Sequence, residues 1–315
     1  MNTARMQAKR PSTLLSGASG MLGTALAAVL RQNGGRVLRL VRREPENDDE
    51  LRWNPISHEE GTNAAPFEIA KLEGFSAAVH FSGANVASRR WTAAFKREIR
   101  ESRVQTTRVL AEALARLKAP PQVLVAASAV GYYGNRGDEI LDEDSTAGSG
   151  YFPELCAEWE AATRPAEEAG IRVVHLRFGI VLGPDGGALA RLAPMFRLGL
   201  GGKLGSGQQW MSWISETDAV RVALFALEHD SISGPVNVVS PEPVTNAEFA
   251  LELGRVVHRP ALVAAPAFAL RLAFGEMADE ALLASTRAVP KRLLEAGFRF
   301  VHPVLAGAFA AALAV

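Results

Sequence analysis

The chain has 315 residues, of which 48% are hydrophobic, enough for one large α/β domain or a domain with a smaller lobe. Lys+Arg and Asp+Glu both number 34, and this balance points to no nucleic-acid or anionic-membrane partner. A single cysteine, Cys156, excludes an internal disulfide, and the six scattered histidines show no metal-ligand spacing, so no metal is expected.

In chain order, MNTARMQAKRP (residues 1–11) has basic residues but no apolar core to follow them, and reads as a disordered arm rather than a signal peptide. Thr13–Ser16 reads as a buried strand. The turn GASGMLG follows, then a helix with apolar positions Leu22, Leu26, Val29 and Leu30 that ends at Gly34-Gly35. VLRLV (37–41) and AAVHFSG (77–83) read as the next strands. Residues 91–117 read as one long amphipathic helix or two joined, closed by Pro120-Pro121. VLVAASA (123–129) is a strand, 153–170 a helix irregular at Pro165, VVHLRFGIVLG (173–183) a strand, and PVNVVS (235–240) a late one. Alternating helices and near-continuous apolar strands predict an α/β fold with a doubly wound parallel sheet covered on both faces. No run approaches the ~20 apolar residues of a membrane span, and with one cysteine a cytoplasmic location is expected. The domain reading is a dinucleotide-binding unit over 12–185, rejoined by 214–240, with a smaller substrate lobe from 186–213 and 241–315.

The turn after the first strand carries Gly17, Gly20 and Gly23. Between a strand and a helix this spacing has a physical reading. Gly17 permits the tight turn, Gly20 lets a pyrophosphate approach the backbone, and Gly23 lets helix and strand pack closely. Ser19, Met21 and Leu22 complete the cradle, and the competing reading is a glycine-rich turn without a ligand. At the end of the second strand, where a carboxylate would favour NAD, the chain has Arg42-Arg43. Two guanidiniums suit a 2′-phosphate, so NADP(H) is the expected cofactor, against the plainer reading of a solvated basic turn.

With these pieces in place, the chain resembles the extended and atypical short-chain dehydrogenase/reductase superfamily, and more closely its NAD-dependent epimerase/dehydratase-like branch. The most specific stretches are RRWTAAFKREIRESRVQTTR (89–108), SAVGYYG (128–134), WEAAT (159–163), GPDGGAL (183–189), FRLGLGGKLGSGQQWMSWI (196–214) and VPKRLLEAGFRF (289–300), the last belonging to a C-terminal segment distinctive of the branch. The resemblance implies a Rossmann sheet. It also implies cofactor contacts from Phe81, Ser82 and Gly83 at the end of the third strand, and from Glu98 and Arg103 on the long helix.

The resemblance further implies a Ser or Thr at a strand end and a Tyr and Lys four residues apart on the next helix. The Tyr passes a proton while the nicotinamide passes a hydride. Ser128 takes the first position, but registering the helix on Glu160 puts Phe152 and Cys156 where the Tyr and Lys belong. Phe cannot transfer a proton, and a buried Cys is chiefly a small hydrophobe. Tyr132 or Tyr133 could supply a phenol instead. Ser128 and Tyr133 are therefore the candidate catalytic residues, with a packed core as the competing reading. Where nucleotide-sugar epimerases clamp the diphosphate with an Arg, counting back from Asp218 gives Met211. Gln208, Trp210 and Trp213 nearby suggest a pocket for a small, non-nucleotide substrate, or two indoles capping the lobe. Three readings follow: an NADP(H)-dependent oxidoreductase or isomerase, a catalytically silent NADP(H)-binding sensor or docking protein, and a nucleotide-sugar epimerase, which Met211 disfavours.

Overall fold

The computed structural model describes residues 12–55, 68–184 and 186–313. The arm expected over residues 1–11 lies outside the described residues.

Seven strands form one parallel sheet: β1 (Ser12–Ser16), β2 (Arg36–Val41), β3 (Glu50–Arg52), β4 (Ala77–His80), β5 (Val123–Ala129), β7 (Arg172–Phe178) and β11 (Gly234–Val238). The short β6 (Ile140–Leu141) lies outside this sheet and pairs with β13 (Arg287–Ala288). Spatial order is β11-β7-β5-β4-β1-β2-β3, so the strand order reverses between β1 and β4. Crevices of open α/β sheets form at such a reversal, beyond the carboxyl ends of the strands. β4, expected to run to Gly83, stops at His80, and β3 was not anticipated from the sequence. The strand expected over 173–183 breaks at Gly179, giving a separate β8 (Ile180–Leu182). A Cβ at Gly179 would sit 2.5 Å from the Ser212 carbonyl oxygen.

Helix α1 (Met21–Gln32) buries Leu26, Ala27 and Leu30 against one face of the sheet, the stripe that its apolar spacing demands. The long helix is two, α2 (Ala93–Arg100) and α3 (Thr106–Ala115), joined by a wider π-turn over Glu101–Gln105. Helix α4 (Tyr151–Ala161) is separate from α5 (Arg164–Glu168), which takes Pro165 into its first turn, where its missing N–H costs nothing.

Helices α7 (Glu216–Glu228) and α10 (Lys291–Glu295) pack into the core of the main sheet, and a smaller region holds α6 (Gly187–Arg197), β9 (Trp210–Met211), β10 (Trp213–Ser215), β12 (Val244–Thr245), α8 (Asn246–Val256), α9 (Ala267–Phe274) and α11 (Leu305–Leu313). Its core joins Phe196, Trp213, Phe249, Leu253 and Phe309. The C-terminal segment is pinned to α7 by the buried Asp218 carboxylate, which accepts the Val301 and His302 amides at 2.8 Å each.

Candidate functional site

The β1–α1 turn gives each glycine a different geometric reason. Gly17 has φ +71°, and a Cβ there would lie 2.5 Å from the Phe81 carbonyl carbon. A Cβ at Gly23 would lie 2.2 Å from the Gly17 oxygen, so only a glycine lets α1 seat on its own turn. At Gly20 a Cβ would meet nothing nearer than the Gly17 oxygen at 3.4 Å, leaving the space before that backbone open. Gly20 is also the N-cap of α1, with no side-chain cap and no acidic residue in the first turn. The first amides of a twelve-residue helix therefore face that space without an internal acceptor. This is a cradle that fits a pyrophosphate. Ser19 is exposed at its lip, and Met21 and Leu22 are half-buried behind it.

The sequence alone did not show what covers this turn. The Met21 side chain packs under the loop after β8: a Cβ at Gly183 would lie 2.6 Å from its sulfur, and one at Gly186 3.0 Å. The glycine density of the GPDGGAL stretch was the available signal. It marks backbone brought close to the turn, as Gly17 does from the other side.

Beyond β2 the two arginines part company. Arg43 is committed to Glu50, donating through Nη1 at 2.7 Å and Nη2 at 2.8 Å. Glu50 also meets Arg39 at 2.5 Å and accepts the Glu46 amide at 2.9 Å. Its side chain is sealed from solvent, and the bond from Arg43 holds its carboxyl below the usual carboxylate range. Arg42 is exposed and makes no hydrogen bond or ion pair among the described residues. The expectation of two arginines free for a phosphate is thus corrected to one, because Arg43 balances a buried carboxylate.

Phe81, Ser82 and Gly83 follow β4 directly against Gly17, and Phe81 packs edge-on to Phe178 at 5.7 Å. Behind Gly83 stands Arg103, whose guanidinium carbon would be 3.2 Å from a Cβ there. It donates to the Ala84 oxygen at 3.0 Å and the Ile99 oxygen at 3.2 Å, and lies 5.1 Å from the Trp159 ring centroid. Burial pushes its pKa down, and no carboxylate pairs with it among the described residues. Glu98 is exposed and pairs with Arg89 at the surface, so the two helix residues point to different surroundings.

At the expected catalytic end the polar groups of Ser128 and Tyr133 are both taken. The Ser128 hydroxyl donates to Glu160 Oε1 at 2.6 Å. Arg177 donates to both Glu160 oxygens at 2.8 Å and to the Tyr133 hydroxyl at 3.0 Å. Tyr133 donates to Asn237 Oδ1 at 2.7 Å. Burial raises the Tyr133 phenol to about 12, above the ordinary tyrosine value, and the ring is wholly sealed from solvent. Both candidate catalytic residues, Ser128 and Tyr133, thus lie in a closed internal network, the arrangement that the competing packed-core reading describes. Tyr132 differs. It is half-buried, its ring lies under the Arg177 guanidinium at 3.5 Å, and its hydroxyl makes no hydrogen bond among the described residues. Phe152 packs edge-on to Trp91 at 5.0 Å, and burial lifts the Cys156 thiol to about 12.

The lobe residues also separate. Trp213 is fully buried in the lobe core, its indole donating to the Glu242 oxygen at 3.0 Å, so its expected place in a substrate pocket is corrected. Gln208 is exposed. Trp210 is half-buried, donates to Asp138 at 2.7 Å and carries Arg287 over its ring at 4.0 Å. Trp210 and Asp138 bring the lobe against the segment after β5, and none of their hydrogen bonds reaches the glycine turn. Among the described residues no cluster of His, Cys, Asp or Glu could hold a metal ion.

A seven-stranded parallel sheet with a Gly-lined turn at its reversal and a small C-terminal region is a Rossmann-type α/β fold. The family model described as "NAD dependent epimerase/dehydratase family" matches residues 13–239, and the chain belongs to that family. A domain of unknown function, DUF1731, matches residues 265–312. An epimerase family protein of Mycobacterium bovis is 50% identical over 288 residues, 91% of this chain and 93% of that protein. The crystal structure of human epimerase family protein SDR39U1 with NADPH superposes with a TM-score of 0.86 at 33% identity, covering 96% of this chain and 99% of that one. A nucleoside-diphosphate sugar epimerase from Corynebacterium glutamicum gives 0.79 at 34% identity, covering 96% of this chain but 58% of that one. No helix among the described residues is long and apolar enough to cross a membrane.

Proposed function

We propose that this chain binds NADP(H) in the cradle between β1 and α1 and acts as an oxidoreductase or isomerase on a small, non-nucleotide substrate. One observation carries the cofactor reading: the open face of Gly20 before an uncapped helix N-terminus, with the unpaired Arg42 beyond β2. The human relative solved with NADPH supports it. Phe81, Ser82, Gly83 and Arg103 would line the adjoining strand end. In this reading the phenol of Tyr132, rather than Tyr133, is the group able to hold or move a proton. Calorimetric titration with NADPH and NADH tests the cofactor. Tighter NADPH binding that Gly20→Val abolishes is expected, and equal affinity for the two would sink the NADP preference.

A second reading is a silent NADP(H)-binding protein. It is favoured by the closed network that takes up Ser128 and Tyr133. Incubating the protein with NADPH and a broad carbonyl panel separates the two. Nicotinamide oxidation that is lost in Tyr132→Phe, with NADPH affinity kept, supports the enzyme. No turnover on any carbonyl supports the silent binder. The nucleotide-sugar epimerase reading draws on the name of the Corynebacterium neighbour, but Met211 stands at the position expected of the diphosphate clamp. Its sulfur instead accepts Asn246 Nδ2 at 3.2 Å, so UDP-sugars are expected not to compete for the site.

A further inference from the structure

The C-terminal lobe leaves an apolar face in solvent. Helix α9 has the sequence AFALRLAF, yet Leu270 is its one buried residue. Phe268 is 72% exposed and Leu272, one turn further on the same face, is 76% exposed. Leu262 at 82% and Leu198 at 74% extend the surface, and the Val263 amide bonds the Gly201 oxygen at 3.1 Å, joining the stretch after α6 to the stretch before α9. An apolar helix is ordinarily buried, and a contiguous exposed apolar patch marks a place where something docks.

Charge says what kind of surface covers it. Residues 186–203 contain Arg191, Arg197 and Lys203 and no acid, whereas two of the three arginines in residues 253–275 are paired, Arg255 with Glu252 at 2.8 Å and Arg271 with Asp279 at 2.9 Å. Arg197 and Lys203 are exposed and make no ion pair among the described residues. The zero net charge of the whole chain conceals this segregation. A second copy docking face to face would set these cations against their own images, which repel. The chain's first eleven residues are no better suited, with three cations and no acid. An apolar surface flanked by the unpaired Arg197 and Lys203 matches an anionic lipid bilayer, with apolar side chains entering the acyl boundary and these two cations meeting headgroups.

We infer that the face built by α9 and the ends of α6 docks on an anionic membrane surface. The same face borders the loop after β4, because Arg90 donates to the Leu272 oxygen at 3.2 Å and Arg191 donates to the Ala87 oxygen at 2.5 Å. Docking would bring that loop to the bilayer.

The test is flotation of the purified chain with phosphatidylcholine vesicles, and with vesicles in which part of that lipid is replaced by phosphatidylglycerol. The chain is expected to partition onto the mixed vesicles and to be released by added salt. Phe268→Ser with Leu272→Ser, and separately Arg197→Glu with Lys203→Glu, should each lower partitioning about tenfold or more. Unchanged melting and circular dichroism would show that these surface variants fold. Absence of partitioning onto the mixed vesicles, equal partitioning onto neutral ones, or indifference to both pairs of substitutions overturns the inference. So does a dimer, seen by light scattering without lipid, that the Phe268/Leu272 exchange dissolves. No cofactor enters the measurement, so its failure is separate from any failure of the NADP(H) reading.

Discussion

The two ends of the cleft are built on opposite principles. At the β1–α1 turn, polar groups are left without partners: the first amides of α1 have no cap, and Arg42 has no counter-ion among the described residues. At the end of β5 every polar group named is satisfied from within, through Ser128, Glu160, Arg177, Tyr133 and Asn237. Open donors on a rigid scaffold suit a ligand, whereas a saturated buried network fixes structure. The difference teaches that one sheet can present open donors at one strand end and a saturated network at another. Only Tyr132 and its unbonded phenol remain beside that network.

Breaking the sealed end should give the largest effect. Arg177 is almost fully buried, and although burial opposes its charge, the bonds it donates to Glu160 more than offset it and raise its pKa. Removing one partner of such a pair strands the other, so Glu160→Ala is expected to cost about 3–5 kcal/mol by urea unfolding. The double variant Glu160→Leu/Arg177→Met should recover much of that loss. A Glu160→Ala protein as stable as the parent would show that the network does not hold this end together.

The open end has a buried anchor of its own. His80 ends β4 directly behind the glycine turn, fully buried, with Nδ1 2.5 Å from the Ser16 hydroxyl. Burial lowers its pKa from 6.5 to about 4. The unfolded chain then binds a proton below about pH 6.5 that the folded chain refuses, so this contribution is complete above that value and is lost as pH falls toward 4. The full effect is about 3 kcal/mol. Urea unfolding at pH 7.5 and pH 4.5 checks it, since His80→Gln should lose less stability between the two than the parent does. An equal loss in both proteins would assign the acid sensitivity elsewhere.

The sheet was legible because a strand buried on both faces must be a continuous apolar run, and these runs alternate with helical periodicity. The geometry of Gly17, Gly20 and Gly23 was legible because each role belongs to the backbone of one strand–turn–helix unit, with only the Phe81 backbone beside Gly17 coming from elsewhere in the chain. Choices between adjacent side chains were not legible. Which of Arg42 and Arg43 stays free is decided by Glu50, on a three-residue edge strand that no pattern announces. Which of Tyr132 and Tyr133 faces inward is decided by Asn237, 104 positions away in the chain. Trp213 is drawn into the lobe core by Phe249 and Phe309, while Trp210, on the preceding short strand, stays half-exposed. Such outcomes rest on long-range partners that local spacing does not contain.

Arg42 sharpens the comparison from the open side. If its missing partner is a phosphate, Arg42→Ala should weaken NADPH about tenfold or more, the scale of one charge-assisted hydrogen bond, and leave NADH nearly unchanged. Arg43→Ala should act differently, lowering stability because Glu50 loses its bidentate partner. Calorimetry with both cofactors, beside a melting curve for each variant, separates the two arginines. Should Arg43→Ala alone remove the NADPH preference, the division of labour seen between them would be wrong.

The smallest effect is expected at Cys156, where the sealed end is apolar. Its sulfur would be 3.8 Å from a Cβ on Gly131, and burial holds the thiol near 12, so almost no reactive thiolate exists at neutral pH. The folded protein should therefore resist aromatic disulfide reagents and react only after denaturant is added. Cys156→Ala removes a single sulfur from a packed site and should cost only about 1 kcal/mol of stability, with NADPH affinity unchanged. Brisk labelling of the native protein, or turnover that disappears in Cys156→Ala while cofactor binding persists, would place a reacting group in the half of the cleft that otherwise reads as core.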